Sequence, residues 1–174
     1  MTETIQHANQ KTSQVKLAAL WGGGGLVLGI AICAATMFAM MPGMMLTVHE
    51  SRFGTVEETC AALEKAIADG GWSCPGVRDM KQSMAKYGVE FAGEARIVEL
   101  CKAEYAREVL TTNPEVLNLM PCAWGVYQGA DGKVYISGMN MGLMGKMFGG
   151  TIAKVMGGSV AKDEAAMLAS VVAH

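Results

Sequence analysis

From Leu17 to Leu46 the chain carries no charged side chain, and the run LAALWGGGGLVLGIAICAATMFAMMPGMML is broken only by glycines, one threonine and one proline. As a helix rising about 1.5 Å per residue, Leu17 to Met41 would reach roughly 37 Å, enough to cross a hydrocarbon core about 30 Å thick. The expectation is a single-pass anchor over residues 17–43, a tail over 1–16 and one folded domain over 44–174 of the 174-residue chain. A cleaved secretory signal is the alternative, with Lys11 and Lys16 as its basic region and Cys33-Ala34-Ala35 as the small residues at the cut. The apolar run continues past that point through Met37, Phe38 and Met40, which is longer than such a signal needs. A lipoprotein anchor at Cys33 is disfavoured by Ile32, where a small residue is wanted.

Lys11 and Lys16 precede the run and only Arg52 follows it closely, so the basic excess places the N-terminus in the cytoplasm. The domain would then face the periplasm or cell exterior from the cytoplasmic membrane. Gly25 and Gly29, continued by Cys33, form a small-residue ridge on which two anchors could pack.

Of 14 basic residues two lie before the run, and of 16 acidic residues only Glu3 does, so the domain is slightly acidic. It has no basic stripe, and nucleic acid is excluded as a partner on that ground.

The domain reads as strands mixed with helices. Met45 to Glu50 alternates as a strand with Leu46 and Val48 on one side and Thr47 and His49 on the other, a partly exposed polar face. Thr55 with Glu58 three residues on is a capping box, opening a helix whose Val56, Leu63, Ala66 and Ile67 make a buried stripe. Trp72 to Val77 is extended, Met80 to Tyr87 is a short helix stopped by Gly88, and Ala95 to Leu100 is a strand. Ala103 to Leu110 is helical, and Pro114 opens another short helix. Cys122 to Tyr127 and Val134 to Ser137 form a hairpin whose Asp131-Gly132 pair is expected to supply positive φ angles. Leu143 to Val172 is helical and weakened by glycines. This order implies an α+β domain, a largely antiparallel sheet with helices on one face, preceded by one transmembrane helix.

Four segments then stand out in order: Val98-Glu99-Leu100-Cys101, Leu119-Met120-Pro121-Cys122, Gly132 to Asn140 (GKVYISGMN) and Met144 to Gly150 (MGKMFGG). Over about Met44 to Leu168 the chain resembles the family catalogued as domain of unknown function 302, in a membrane-anchored subtype. The resemblance implies a compact, possibly dimeric α+β fold and no known reaction. The family pattern usually has a basic residue after the second cysteine, where this chain has Ala123.

Beyond Cys33, the cysteines are Cys60, Cys74, Cys101 and Cys122; an even number outside the cytoplasm permits disulfides without choosing a pairing. There is no CxxC or HxxxH spacing for zinc. Cys60 falls in the buried stripe and reads as an apolar filler. Cys101 and Cys122 belong to the recurring segments and lie at strand ends, where sites are often built. With Met120 they could serve as a redox pair, a persulfide carrier, or soft ligands for copper or haem iron. His49 is a further candidate for such a ligand. The clusters Met37-Met40-Met41-Met44-Met45 and Met139-Met141-Met144-Met147 would suit Cu(I), although Met144 and Met147 share a helical face that reads as core. Gly145 and Gly149, one turn apart, read as close helix packing.

No catalytic triad or phosphate loop is present, and Glu57, Glu58, Glu90 and Glu94 read as solvated charge. Two short helical segments between the strands carry the chain away from Cys101 and partway back. Cys101 and Cys122 are therefore expected at the same end of the sheet. The functional expectation is a membrane-tethered binding or redox module with Cys101, Met120 and Cys122 as its site. The alternatives are a thiol enzyme with Cys101 or Cys122 as nucleophile, and a structural domain that only oligomerises, as a homodimer for example.

Overall fold

The computed structural model describes residues 29–36, 39 and 43–173, in two units divided after Pro42. Residues 29–36, 39 and 43 are helical; the remainder of the expected anchor, including Gly25, lies outside the described residues, as does the tail. Among the described residues no helix is long and apolar enough to cross a membrane.

The second unit is an α+β domain. Its elements are β1 (Leu46–Glu50), α1 (Val56–Asp69), β2 (Val77–Asp79), α2 (Met80–Ala85), β3 (Ala95–Leu100), α3 (Ala103–Thr112), a 3₁₀ segment (Pro114–Leu119), β4 (Cys122–Gln128), β5 (Val134–Met139), α4 (Met141–Phe148), α5 (Gly150–Lys154), a π-helical segment (Val155–Val160) and α6 (Ala161–Leu168). The five strands form one sheet in the order β1-β5-β4-β3-β2, antiparallel at every junction.

The core follows from period-two alternation. Val98 and Leu100 on β3, Trp124 and Val126 on β4, and Val134 and Ile136 on β5 point to one face and are all buried. Against this face packs α1, through Leu63 and Ile67, both fully buried. Burying each such side chain contributes about 1.5–3 kcal/mol. The start of α1 is fixed by Thr55, whose hydroxyl accepts the Glu58 N–H at 3.1 Å and donates to the Glu58 carboxylate at 2.9 Å. Cys60 is the apolar filler expected, and burial pushes its thiol up to about 11.

β1 alternates as expected: Thr47, half-buried, and His49, exposed, stand on the side that pairs with Gly138 and Ile136, a partly exposed polar side, while Leu46 and Val48 stand on the other face and are exposed as well. Two expectations need correction. In the hairpin only Gly132 has positive φ (80°). Asp131 works instead through its carboxylate, which accepts the Lys133 N–H at 3.1 Å and the Tyr135 hydroxyl at 2.7 Å. In α4, Met141 and Met144 are core, but Met147 is exposed.

The closing helical stretch is folded on itself rather than continuous. Gly149 and Gly150, at φ 71° and 55°, break it. This lets α4 lie against the π-helical segment so closely that a Cβ on Gly145 would stand 2.6 Å from the Gly157 Cα. Beyond α6, the chain is stitched to the end of β1 by Arg52 N–H to Val171 carbonyl and Ala173 N–H to Glu50 carbonyl bonds, each 2.9 Å.

Candidate functional site

The end of the β3–β4 ladder brings the two cysteines together. Leu100 stands opposite Cys122, so the Cα atoms of Cys101 and Cys122 are within about 7 Å, well inside three strand spacings. The expected proximity is met by the expected path: α3 leaves Cys101 and the 3₁₀ segment returns the chain to Met120. The two thiols are not bonded to each other. Cys101 is held extended by paired 2.9 Å backbone bonds with Ser73.

Cys101, Met120 and Cys122 border one cleft, with Met156 of the π-helical segment on its far wall. Four of its eleven lining residues therefore carry sulfur. Its volume is about 300 Å³ counting the part open to solvent, but its interior has room for about one water molecule. It is almost wholly apolar, and the Met120–Pro121 peptide beside it is cis.

Trp72, Lys102 and Tyr105 form a second wall, organised by Asp163 of α6. The Asp163 carboxylate accepts bonds from the Trp72 indole (3.1 Å), the Lys102 ammonium (3.1 Å) and the Tyr105 hydroxyl (3.2 Å). Burial would raise this carboxyl, but those donors, Lys102 foremost, hold it below its ordinary range. The Lys102 nitrogen also lies 4.8 Å from the Tyr105 ring centre, a cation–π distance.

Burial, and after it the neighbouring Glu164, push the Cys122 thiol up to about 12. At neutral pH Cys122 is a thiol, and a weak nucleophile for that reason. Among the described residues no three His, Cys, Asp or Glu side chains are grouped to hold a metal ion.

His49 is not part of this cleft. It sits on β1, separated from β3 by β5 and β4, and borders a different cavity with α6. Trp72, Lys102, Tyr105 and Met156 belong to the cleft and were not singled out from the sequence. Lys102 and Tyr105 lie next to and four residues after Cys101, and that spacing was the available signal. Glu164, buried near Cys122, was overlooked as well. It occupies an apolar stripe, Val160, Glu164, Met167 and Val171, at helical intervals.

Fold and cleft define a small α+β domain built on a four-stranded antiparallel meander, β2 to β5, with β1 added at the edge. The chain belongs to the family described as Domain of unknown function DUF302, whose model matches residues 47–174. Its fold is similar to that in the "Crystal structure of uncharacterized conserved protein DUF302 from Bacillus stearothermophilus", with a TM-score of 0.64 and 23% identity over 73% of this chain and 98% of that one. No curated protein matches the chain.

Proposed function

We propose that this protein is a membrane-tethered binding module, held by residues 17–43 with its domain outside the cytoplasm, and that the sulfur-lined cleft takes a small soft species of the Cu(I) class. The observation that carries the reading is the meeting of Cys101, Met120, Cys122 and Met156, from distant parts of the sequence, on one narrow apolar cleft. Thiol and thioether sulfur prefer soft cations, and such an ion supplies the positive charge a buried thiol needs to lose its proton. A space for about one water molecule suits a single ion and leaves no room for a porphyrin, so copper is favoured over haem here.

A redox pair is the second reading, favoured by the short Cys101 to Cys122 separation. It requires the two thiols, which are not bonded here, to close to bonding distance. A nucleophilic enzyme is the weakest reading, since Cys122 is held as a thiol.

Titrating the reduced full-length protein with Cu(I) against a chromophoric chelator tests the proposal. Stoichiometric capture by wild type, lost on Cys101→Ser/Cys122→Ser and weakened by Met120→Leu, is expected. Capture undiminished in the double variant would refute the site. Loss of two hydrogens per chain under mild oxidation, without copper capture, would select the redox reading. Digestion of the domain only from the cytoplasmic side of sealed vesicles would overturn the orientation.

A further inference from the structure

A second cavity lies at the opposite flank of the domain, between the edge strand β1 and α6. It is about 820 Å³ counting the part open to solvent, and Thr47, His49, Asn140, Met141, Glu164 and Leu168 are on its walls. Two of its polar side chains, Asn140 and Thr47, are already committed. The Asn140 side-chain oxygen accepts the Leu143 N–H at 3.0 Å, and its amide donates to the Met44 carbonyl at 3.1 Å. The Thr47 hydroxyl donates to the Gly138 carbonyl at 3.3 Å.

Glu164 is different. It is only 8% exposed, yet among the described residues its carboxylate has neither a hydrogen-bond donor nor a cationic partner. It is not sealed in either: its carboxyl oxygens keep some contact with solvent, and Glu164 lines this cavity. The carboxyl therefore opens on the cavity. Among the described residues the titratable groups facing it are the Cys122 thiol from β4 and His49 from β1, and no lysine or arginine lines the cavity. A carboxyl so largely withdrawn from water, with neither donor nor counter-charge from the described residues, is costly to keep ionised.

We propose that this cavity binds a small organic cation, an ammonium group on a short apolar body, with the Glu164 carboxylate as its counter-ion. The ammonium supplies the charge and the donors the carboxyl lacks. The body lies against Met141 and Leu168. A neutral ligand would leave the carboxyl uncompensated. A metal ion would find one oxygen donor group where it needs several convergent ones.

The test is calorimetric titration of the full-length protein, in a non-ionic detergent, with benzylammonium and with benzyl alcohol as its neutral counterpart. Wild type is expected to bind benzylammonium about tenfold or more tightly than benzyl alcohol, and Glu164→Gln to abolish that preference. Ala165→Trp, at an exposed position on the cavity wall, should block both probes while leaving Glu164 in place. Equal affinity for the two probes would overturn the proposal, as would a preference that survives Glu164→Gln, binding unaffected by Ala165→Trp, or no saturable binding of benzylammonium. A cooperative thermal transition in each variant, no lower than that of wild type, separates loss of the site from loss of the fold.

Discussion

Replacing Glu164 with glutamine should make the fold more stable at alkaline pH and leave it nearly unchanged at acidic pH. Burial raises the Glu164 carboxyl from an ordinary 4.5 to about 7, and no donor or cation opposes it. Below 4.5 the carboxyl is protonated in both folded and unfolded chains and has no effect on the balance. Between 4.5 and about 7 only the unfolded chain releases the proton, so stability falls as pH rises; above about 7 both release it and the loss is complete. At about 1.4 kcal/mol per pH unit the full loss is about 3 kcal/mol, of which about 2–3 kcal/mol falls between pH 5 and pH 8. Glutamine has the same shape and no titration. Urea unfolding of wild type and Glu164→Gln, followed by tryptophan fluorescence at the two pH values, isolates this contribution because all other groups are shared. A stability difference between the two proteins that is the same at pH 5 and pH 8 would refute the argument that Glu164 is desolvated and uncompensated.

Gly145→Ala should cost about 1–3 kcal/mol, because the new methyl meets the Gly157 backbone and neither helix can give way; denaturation midpoints check it, and a neutral outcome would mean the two segments are not in contact. Thr55→Ala removes the cap of α1 and should cost about 1 kcal/mol, with Thr55→Ser restoring most of it in the same assay. Asp163→Asn should lower stability by about 1–3 kcal/mol and alter Trp72 emission, since three donors lose a charged acceptor; an unchanged spectrum would count against the wall described for the cleft. Cys122 should resist iodoacetamide at pH 8 in the folded protein and react on unfolding, as mass spectrometry of the labelled peptide would reveal; fast native labelling would contradict its burial.

The elements that the sequence disclosed are those in which one local rule decides the outcome. The α1 stripe and its Thr55 cap, the strand at Ala95 to Leu100 and the hairpin were legible because capping, alternation and turn chemistry agreed there. The adjacency of Cys101 and Cys122 was legible because two short segments between strands permit little but a return. Which side of β1 turns to α6 was not, since five residues of mixed polarity at an edge fit either face and the decision belongs to α6, far along the chain. Nor was the wall of the cleft. Asp163 reaches Trp72 and Met156 reaches the cleft of Cys122 only through the fold of the closing helices, which turns on φ angles at Gly149 and Gly150 that many other glycines in the sequence could equally have adopted.

The position of β1 in the sheet bears on the order in which the domain assembles. β4 and β5 meet across a short hairpin, with Ser137 reaching a carbonyl 12 residues away, whereas Thr47 of β1 reaches Gly138 across 91 residues. Loop closure of that span is slow compared with hairpin formation, so β3, β4 and β5 should zip together first and β1 should dock late. Until it does, β5 is an open edge whose unpaired amides can recruit a neighbouring chain, and copies folding at high local concentration would meet most readily at that stage. Conditions that slow the docking of β1 should therefore raise the yield of aggregates without altering the stability of the finished fold.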